Sequence, residues 1–333
     1  MFDNRARATQ VAFGTRRGQE VLARLDIPRG RLRAYAVFAH CLGPDGDPSA
    51  EAFVAGLLEY GIGVLSFELT APQAPPDAEG EARAAPTAEE GEPPLALDTQ
   101  DIVDAASVLR VSHGAPELLV GHSLAGAAVL RAALDLHEVR AVATIAAPSD
   151  ATHMLHLLED DDTTIEAHPY SFDGGLDAVF DGVDTFYNTF WARTGGADGF
   201  DALVERSSAL FDAARRAGVR RIVHLSVANP SLDSPYAYFR AKAQVEAALH
   251  ATGVPAAIVR PALIFGGATV LLDNLAWVLR RSPVFGVAAG GGFRVRPVHA
   301  DDVARLCVEL GGHADQVTVD AVGPERPTFR ELI

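Results

Sequence analysis

Two sets of residues in this 333-residue chain have the types and spacing for catalysis. The first is Gly121-His122-Ser123-Leu124-Ala125-Gly126, a serine between small residues where a strand would turn sharply into a helix. On such a turn the hydroxyl stands clear of the sheet, and backbone N–H groups at the helix start face a developing oxyanion. That is chemistry for attack on an ester or acyl carbon. The second set is Ser226, Tyr238 and Lys242, with the tyrosine 12 positions after the serine and the lysine four after the tyrosine. Four apart on a helix, phenol and ammonium share one face. The ammonium lowers the phenol's pKa and suits it to exchange a proton with a substrate oxygen that Ser226 would also bind. Of the chain's 28 Lys and Arg residues only Lys242 is lysine, and arginine is no equivalent partner because its charge is delocalised.

Each set lacks something. A serine without a base is a poor nucleophile at neutral pH. Asp233 and His299 would complete the order Ser, Asp, His, with His153 and His156 as alternatives; the bland reading of any one of these histidines is a surface or hydrogen-bonded structural residue. For the tyrosine and lysine, nothing before residue 163 supplies a glycine-rich βα turn on which a pyrophosphate would rest. The nearest imitation, Thr194-Gly195-Gly196-Ala197-Asp198-Gly199-Phe200, has the wrong spacing. The structural alternatives are a strand-to-helix turn kept without use, and a helix face with no cofactor beside it.

The elements that must position these residues follow from periodicity. Thr9 to Phe13 and Glu20 to Ile27 flank Thr15-Arg16-Arg17-Gly18 and predict an antiparallel hairpin. Apolar runs at 34–39, 62–67, 117–120 and 139–145 alternate with helical patterns at 50–60, 98–111 and 124–136, the grammar of a parallel sheet. The same alternation resumes with strands at 184–190, 221–226 and 256–265 and helices at 200–217, 235–250, 271–281 and 301–310. Between 71 and 94 the chain is Pro, Ala, Glu and Gly, read as a mobile acidic loop, and Glu159-Asp160-Asp161-Asp162 is the expected seam. The fold class is therefore α/β: a doubly wound, mostly parallel sheet opened by a β-hairpin, with halves at 1–158 and 159–333. Pairing of the 139–145 and 184–190 strands would fuse the halves into one sheet. The closing Phe329-Arg330-Glu331-Leu332-Ile333 has the pattern of a first helical turn, and a further C-terminal stretch is expected.

Residues 8–158 resemble the α/β hydrolases found fused to OsmC-like proteins, on Phe38-Ala39-His40-Cys41, Gly121-His122-Ser123-Leu124 and Ala143-Thr144-Ile145-Ala146-Ala147-Pro148-Ser149-Asp150. That resemblance implies Ser123 as nucleophile and the backbone N–H groups of Cys41 and Leu124 as the oxyanion hole. The chain departs from the pattern at Thr70-Ala71-Pro72-Gln73, where such hydrolases carry a Gly-containing turn, and in the later part that should deliver the acid and base. Residues 163–333 resemble the NAD-dependent epimerase/dehydratase family of extended short-chain dehydrogenases, on the run from Ala217 to Ser226, Tyr238 through Lys242, Val259-Arg260-Pro261 through Gly266, and Pro297-Val298-His299-Ala300-Asp301-Asp302-Val303. There Tyr238 is implied as acid/base, Ser226 as third member, Lys242 and Arg260 as cofactor contacts, and His299 as a structural residue before a helix. No cofactor is expected for hydrolysis. NAD(P) is implied for the second chemistry, although its phosphate loop is missing.

Composition bounds the partners. A net charge of −16 without any Lys/Arg cluster argues against nucleic acid and anionic membranes. No apolar run reaches the roughly 18 residues of a membrane span, and the first residues carry no apolar leader. Cys41 and Cys307 mark neither a disulfide framework nor a zinc site. The expectation is a cytoplasmic protein with a small-molecule substrate and no bound metal. Its oligomeric state is not legible. Three functions stay open: a serine hydrolase, an NAD(P)-dependent epimerase or reductase, and a non-catalytic fusion.

Overall fold

The computed structural model describes residues 7–16, 18, 20–40, 48–69, 99–123, 125–145, 147, 179–191, 199–266, 270–282 and 285–333. The chain divides into two compact units, Met1–Ser171 and Phe172–Ile333. The acidic stretches at 71–94 and 159–162 lie outside the described residues.

In the first unit, β1 (Arg7–Gly14) and β2 (Glu20–Ile27) form the expected antiparallel hairpin. The rest follows as β3 (Ala34–His40), α1 (Pro48–Glu59), β4 (Ile62–Glu68), α2 (Thr99–Ser112), β5 (Pro116–His122), α3 (Ala125–Ala133) and β6 (Ala141–Ile145). These strands make a six-stranded sheet in the order β1-β2-β4-β3-β5-β6, antiparallel through β2 and β4 and parallel from β4 to β6. β2 alternates exposed and buried residues because only one face is covered, while β3 and β4 are buried on both faces and read as continuous apolar runs. On one face Val37, Leu65 and Leu119 meet Ile102 and Leu109 of α2 and Val129 of α3. On the other, Phe38, Val64 and Val120 meet Val54 and Leu57 of α1. Helices on both faces make the sheet doubly wound.

The second unit runs β7 (Thr185–Asn188), α4 (Gly199–Arg216), β8 (Arg221–Leu225), α5 (Ala237–Ala251), β9 (Ala256–Pro261), β10 (Leu263–Phe265), α6 (Val270–Arg281), β11 (Pro297–His299), α7 (Ala300–Gly311), β12 (Val317–Ala321) and α8 (Phe329–Leu332). Four strands form a wholly parallel sheet, β12-β9-β8-β7, and β10 pairs with β11 in a separate parallel pair. Ile222, Ala256 and Ile258 pack on Phe211 of α4 and Val245 of α5, and Val223, Ala257 and Val259 pack on Val303 of α7. At roughly 1.5–3 kcal/mol per fully buried large side chain, such layers carry most of the favourable energy.

One expectation needs correction. A single strand over 256–265 is two strands in different sheets, since the chain leaves the four-stranded sheet at Pro261, which has no N–H to continue a ladder. Among the described residues, β6 pairs with β5 in the first unit and β7 with β8 in the second. The strand at 317–321 is not legible in the sequence, because an acidic residue, Asp320, interrupts its short apolar pattern.

Candidate functional site

Ser123 sits between β5 and α3 with φ +57°, in the left-handed region, one of two non-glycine residues so placed among those described. Three features of the sequence hold it there. Gly121 faces α3 so closely that a Cβ would lie 2.4 Å from the Ala125 carbonyl oxygen and 2.6 Å from a Val129 methyl. Gly126 would put a Cβ 2.6 Å from that of Ala147. The turn is closed by Ser123 N–H donating to the Ile145 carbonyl (2.9 Å) and Gly126 N–H donating to the Ser123 carbonyl (2.9 Å). The half-buried hydroxyl receives no side-chain hydrogen bond from the described residues. Because Ser123's own N–H is committed to Ile145, an oxyanion would have to be met by other N–H groups, and those at the start of α3 are the ones with no intrahelical partner. Cys41 and Leu124, the expected oxyanion residues, and His153 and His156 lie outside the described residues.

The second unit brings Ser226, Lys242 and Arg260 together around a residue the sequence reading missed. Glu246 lies one turn beyond Lys242 on α5 and is 5% exposed. Its carboxylate accepts from the Ser226 hydroxyl (2.5 Å), from Arg260 Nε (3.0 Å) and from Arg260 Nη2 (2.5 Å). Arg260, expected as a cofactor contact, is thus paired inside its own unit, and the carboxylate holds its guanidinium above its ordinary pKa. The signal was present in sequence, since Tyr238, Lys242 and Glu246 recur every four residues on one helix face.

Lys242 is 3% exposed. Its ammonium lies 4.0 Å from the centroid of the Trp191 ring, and its hydrogen bond to the Leu225 carbonyl is long, 3.5 Å. Burial pushes its pKa down to about 8, against the opposing pull of Glu246. Tyr238 packs edge-on against Trp191, Phe200 and Phe239, and burial pushes its phenol up. Among the described residues no hydrogen bond joins Tyr238 to Ser226 or Lys242. Behind this cluster His224 is wholly buried, its Nδ1 accepting from Asn188 Nδ2 (3.0 Å) while Phe190 N–H donates to Asn188 Oδ1 (3.1 Å). Burial, then the charge of Lys242, lowers its pKa to about 3.

The remaining expected residues lie apart from this cluster. His299 caps α7, its Nδ1 accepting from Asp301 N–H (3.2 Å), which fits a structural role before a helix. Asp233 is in the turn before α5, where its N–H bonds to the Ser231 hydroxyl (3.2 Å). That turn and the end of β9 line an open cleft of about 490 Å³, with Val227, Pro235, Tyr236, Phe239 and Ala262 on its walls and Asn229 (φ +58°) at its edge. Residues 194–198 of the glycine-rich stretch are not described, and Gly199 (φ +67°) opens α4. Among the described residues no group of three or more His, Cys, Asp or Glu is placed to hold a metal. No helix among them is long and apolar enough to cross a membrane.

No family model matches the chain. A curated mouse (Mus musculus) protein, NADH dehydrogenase (ubiquinone) 1 alpha subcomplex subunit 9, mitochondrial, is 31% identical over 140 residues, which is 40% of this chain and 36% of that protein. The chain therefore spans about a third of the length of this relative. Similar solved structures include an esterase domain of a Rhodothermus marinus protein, 23% identical, covering 82% of this chain and 94% of that one at a TM-score of 0.40. A Citrobacter sp. triphenylmethane reductase complexed with NADP(H) is 18% identical over 64% of each chain, TM-score 0.42. A dTDP-glucose 4,6-dehydratase of Streptomyces venezuelae with NAD bound is 18% identical, covering 70% of this chain and 75% of that one, TM-score 0.45.

Proposed function

We propose that the first unit is a serine hydrolase for ester or acyl substrates, with Ser123 as nucleophile. The observation that carries this reading is the left-handed backbone of Ser123 at the junction of β5 and α3. Such a conformation costs a non-glycine residue about 1–3 kcal/mol and persists where the surroundings over-determine it, which happens most at active sites. Glycine would make the same turn without the cost. Serine at this position exchanges backbone ease for a hydroxyl held at the C-terminal edge of a parallel sheet, at the positive end of a helix. The oxyanion role goes to the N–H groups of Cys41 and Leu124, and the required base to His153 or His156, which belong to the same unit as Ser123. A fluorophosphonate probe should label the protein at Ser123 and leave Ser123→Ala unlabelled. Absence of labelling at high probe concentration overturns the reading.

A second reading, NAD(P) binding by the second unit with Ser226, Tyr238 and Lys242 at the reacting centre, is favoured by the 31% likeness to a subunit of an NADH dehydrogenase. Two contacts weigh against turnover there: Ser226 is bonded to Glu246, and Lys242 is covered by Trp191. Binding is tested by titrating NADH against melting temperature, because a ligand taken up only by the native state raises stability by RT ln(1 + [L]/Kd). An unchanged melting temperature at millimolar NADH rejects it.

A further inference from the structure

We propose that the Trp191 indole is a removable cover over Lys242, so that the second unit rests in a closed state and opens by local withdrawal of this one ring. Among the described residues, the buried ammonium beneath it has few partners. Of its three donors, one reaches the Leu225 carbonyl at 3.5 Å and the indole face lies at 4.0 Å. The Glu246 carboxylate is already engaged with Ser226 and Arg260. The depressed pKa of Lys242, brought to about 8 by burial, agrees with a charge that has lost water without gaining full compensation.

The cover itself is held by non-directional contacts. Trp191 stacks on Phe200 at 6.0 Å between ring centres, meets Tyr238 edge-on at 5.7 Å and faces the ammonium. Among the described residues its N–H makes no hydrogen bond. An aromatic pair contributes about 0.5–1.5 kcal/mol beyond area burial, and a desolvated cation–π contact about 2. Because none of these contacts is a hydrogen bond, the ring can withdraw by a local opening that leaves the rest of the unit folded. Withdrawal returns Lys242 to water and uncovers one side of Tyr238, on the same face of α5. Glu246, by contrast, holds Ser226 and Arg260 with charge-assisted bonds that do not depend on the indole, so the opening is confined to the Lys242 side.

Because Lys242 is the sole lysine, its reactivity is read without ambiguity. The experiment is acetylation with the N-hydroxysuccinimide ester of acetic acid at pH 7.5, where the covered amine is mostly charged, followed by peptide mass spectrometry that separates Lys242 from the α-amine. Expected results are a wild-type rate well below that of free Nα-acetyl-lysine, a rise of about tenfold in Trp191→Ala, equivalent to 1.4 kcal/mol of lost cover, and a smaller rise in Trp191→Phe. The wild-type rate should also be flat at low urea, since local opening exposes little surface. Equal rates in wild type and Trp191→Ala overturn the proposal. So does a wild-type rate that climbs with urea along the global unfolding slope, a measurement that decides the matter even where Trp191→Ala fails to fold.

Discussion

The Ser226 hydroxyl donates to Glu246 Oε1 at 2.5 Å, and the same carboxylate binds Arg260 through two nitrogens. A residue with the spacing of a catalytic serine is thereby built into the ion pair that ties α5 to β8 and β9. Glu246→Gln keeps the shape and removes the charge. It should destabilise the second unit by about 2 kcal/mol, the range for a hydrogen bond to a charged group, discounted for the partial exposure of Arg260. Both tryptophans, Trp191 and Trp277, belong to this unit, so urea unfolding followed by tryptophan fluorescence reads it directly. An unchanged midpoint would show the cluster to be energetically idle.

His224 makes the second unit acid-sensitive. Its pKa is about 3 in the fold against an ordinary 6.5. Between these values the unfolded chain binds the extra proton and the folded chain does not, so stability falls as pH drops from 6.5 toward 3. His224→Gln should flatten this slope. The check is the urea midpoint at pH 7 and pH 4.5 in both proteins, and equal slopes would refute the assignment.

Lys242 works in the alkaline range with the same sign. Its folded pKa of about 8 lies below the ordinary 10.5, so the unfolded state holds more protons between the two and stability rises with pH across that window. In Lys242→Met this rise should disappear, with the variant at least as stable as wild type at pH 7. Urea midpoints at pH 7.5 and 10 compare the two proteins.

Ser123→Gly should stabilise the first unit by about 1 kcal/mol while abolishing fluorophosphonate labelling, because glycine takes the left-handed turn without strain. Ser123→Ala should lose labelling without that gain. Differential scanning calorimetry beside the labelling assay separates strain from chemistry.

Gly121→Ala should cost roughly 1–3 kcal/mol or more, since a Cβ there meets the Ala125 backbone 2.4 Å away and α3 would have to leave β5. Circular dichroism melts measure this. A neutral effect would mean that α3 can move away from β5 at little cost.

The sequence by itself determined the class of the fold and most of its elements, because period-2 and period-3.6 patterns and buried apolar runs are local properties. The hairpin, the strands at 34–40, 62–68 and 221–225 and the turn at Ser123 were all legible in this way. The small residues Gly121 and Ala125 around Ser123 already signalled a close backbone approach at the turn.

What only the tertiary structure decided was partnership. Which strands pair is a competition between distant segments, and within each unit it was settled by the closing of that unit's core, with β3 between β4 and β5 in one and β9 between β8 and β12 in the other. The spacing of Ser226, Tyr238 and Lys242 placed them on adjoining elements but not in contact with one another. Glu246 and Trp191 took the serine and the lysine, because a buried hydroxyl and a buried ammonium go to the strongest acceptor and the nearest π face the fold supplies.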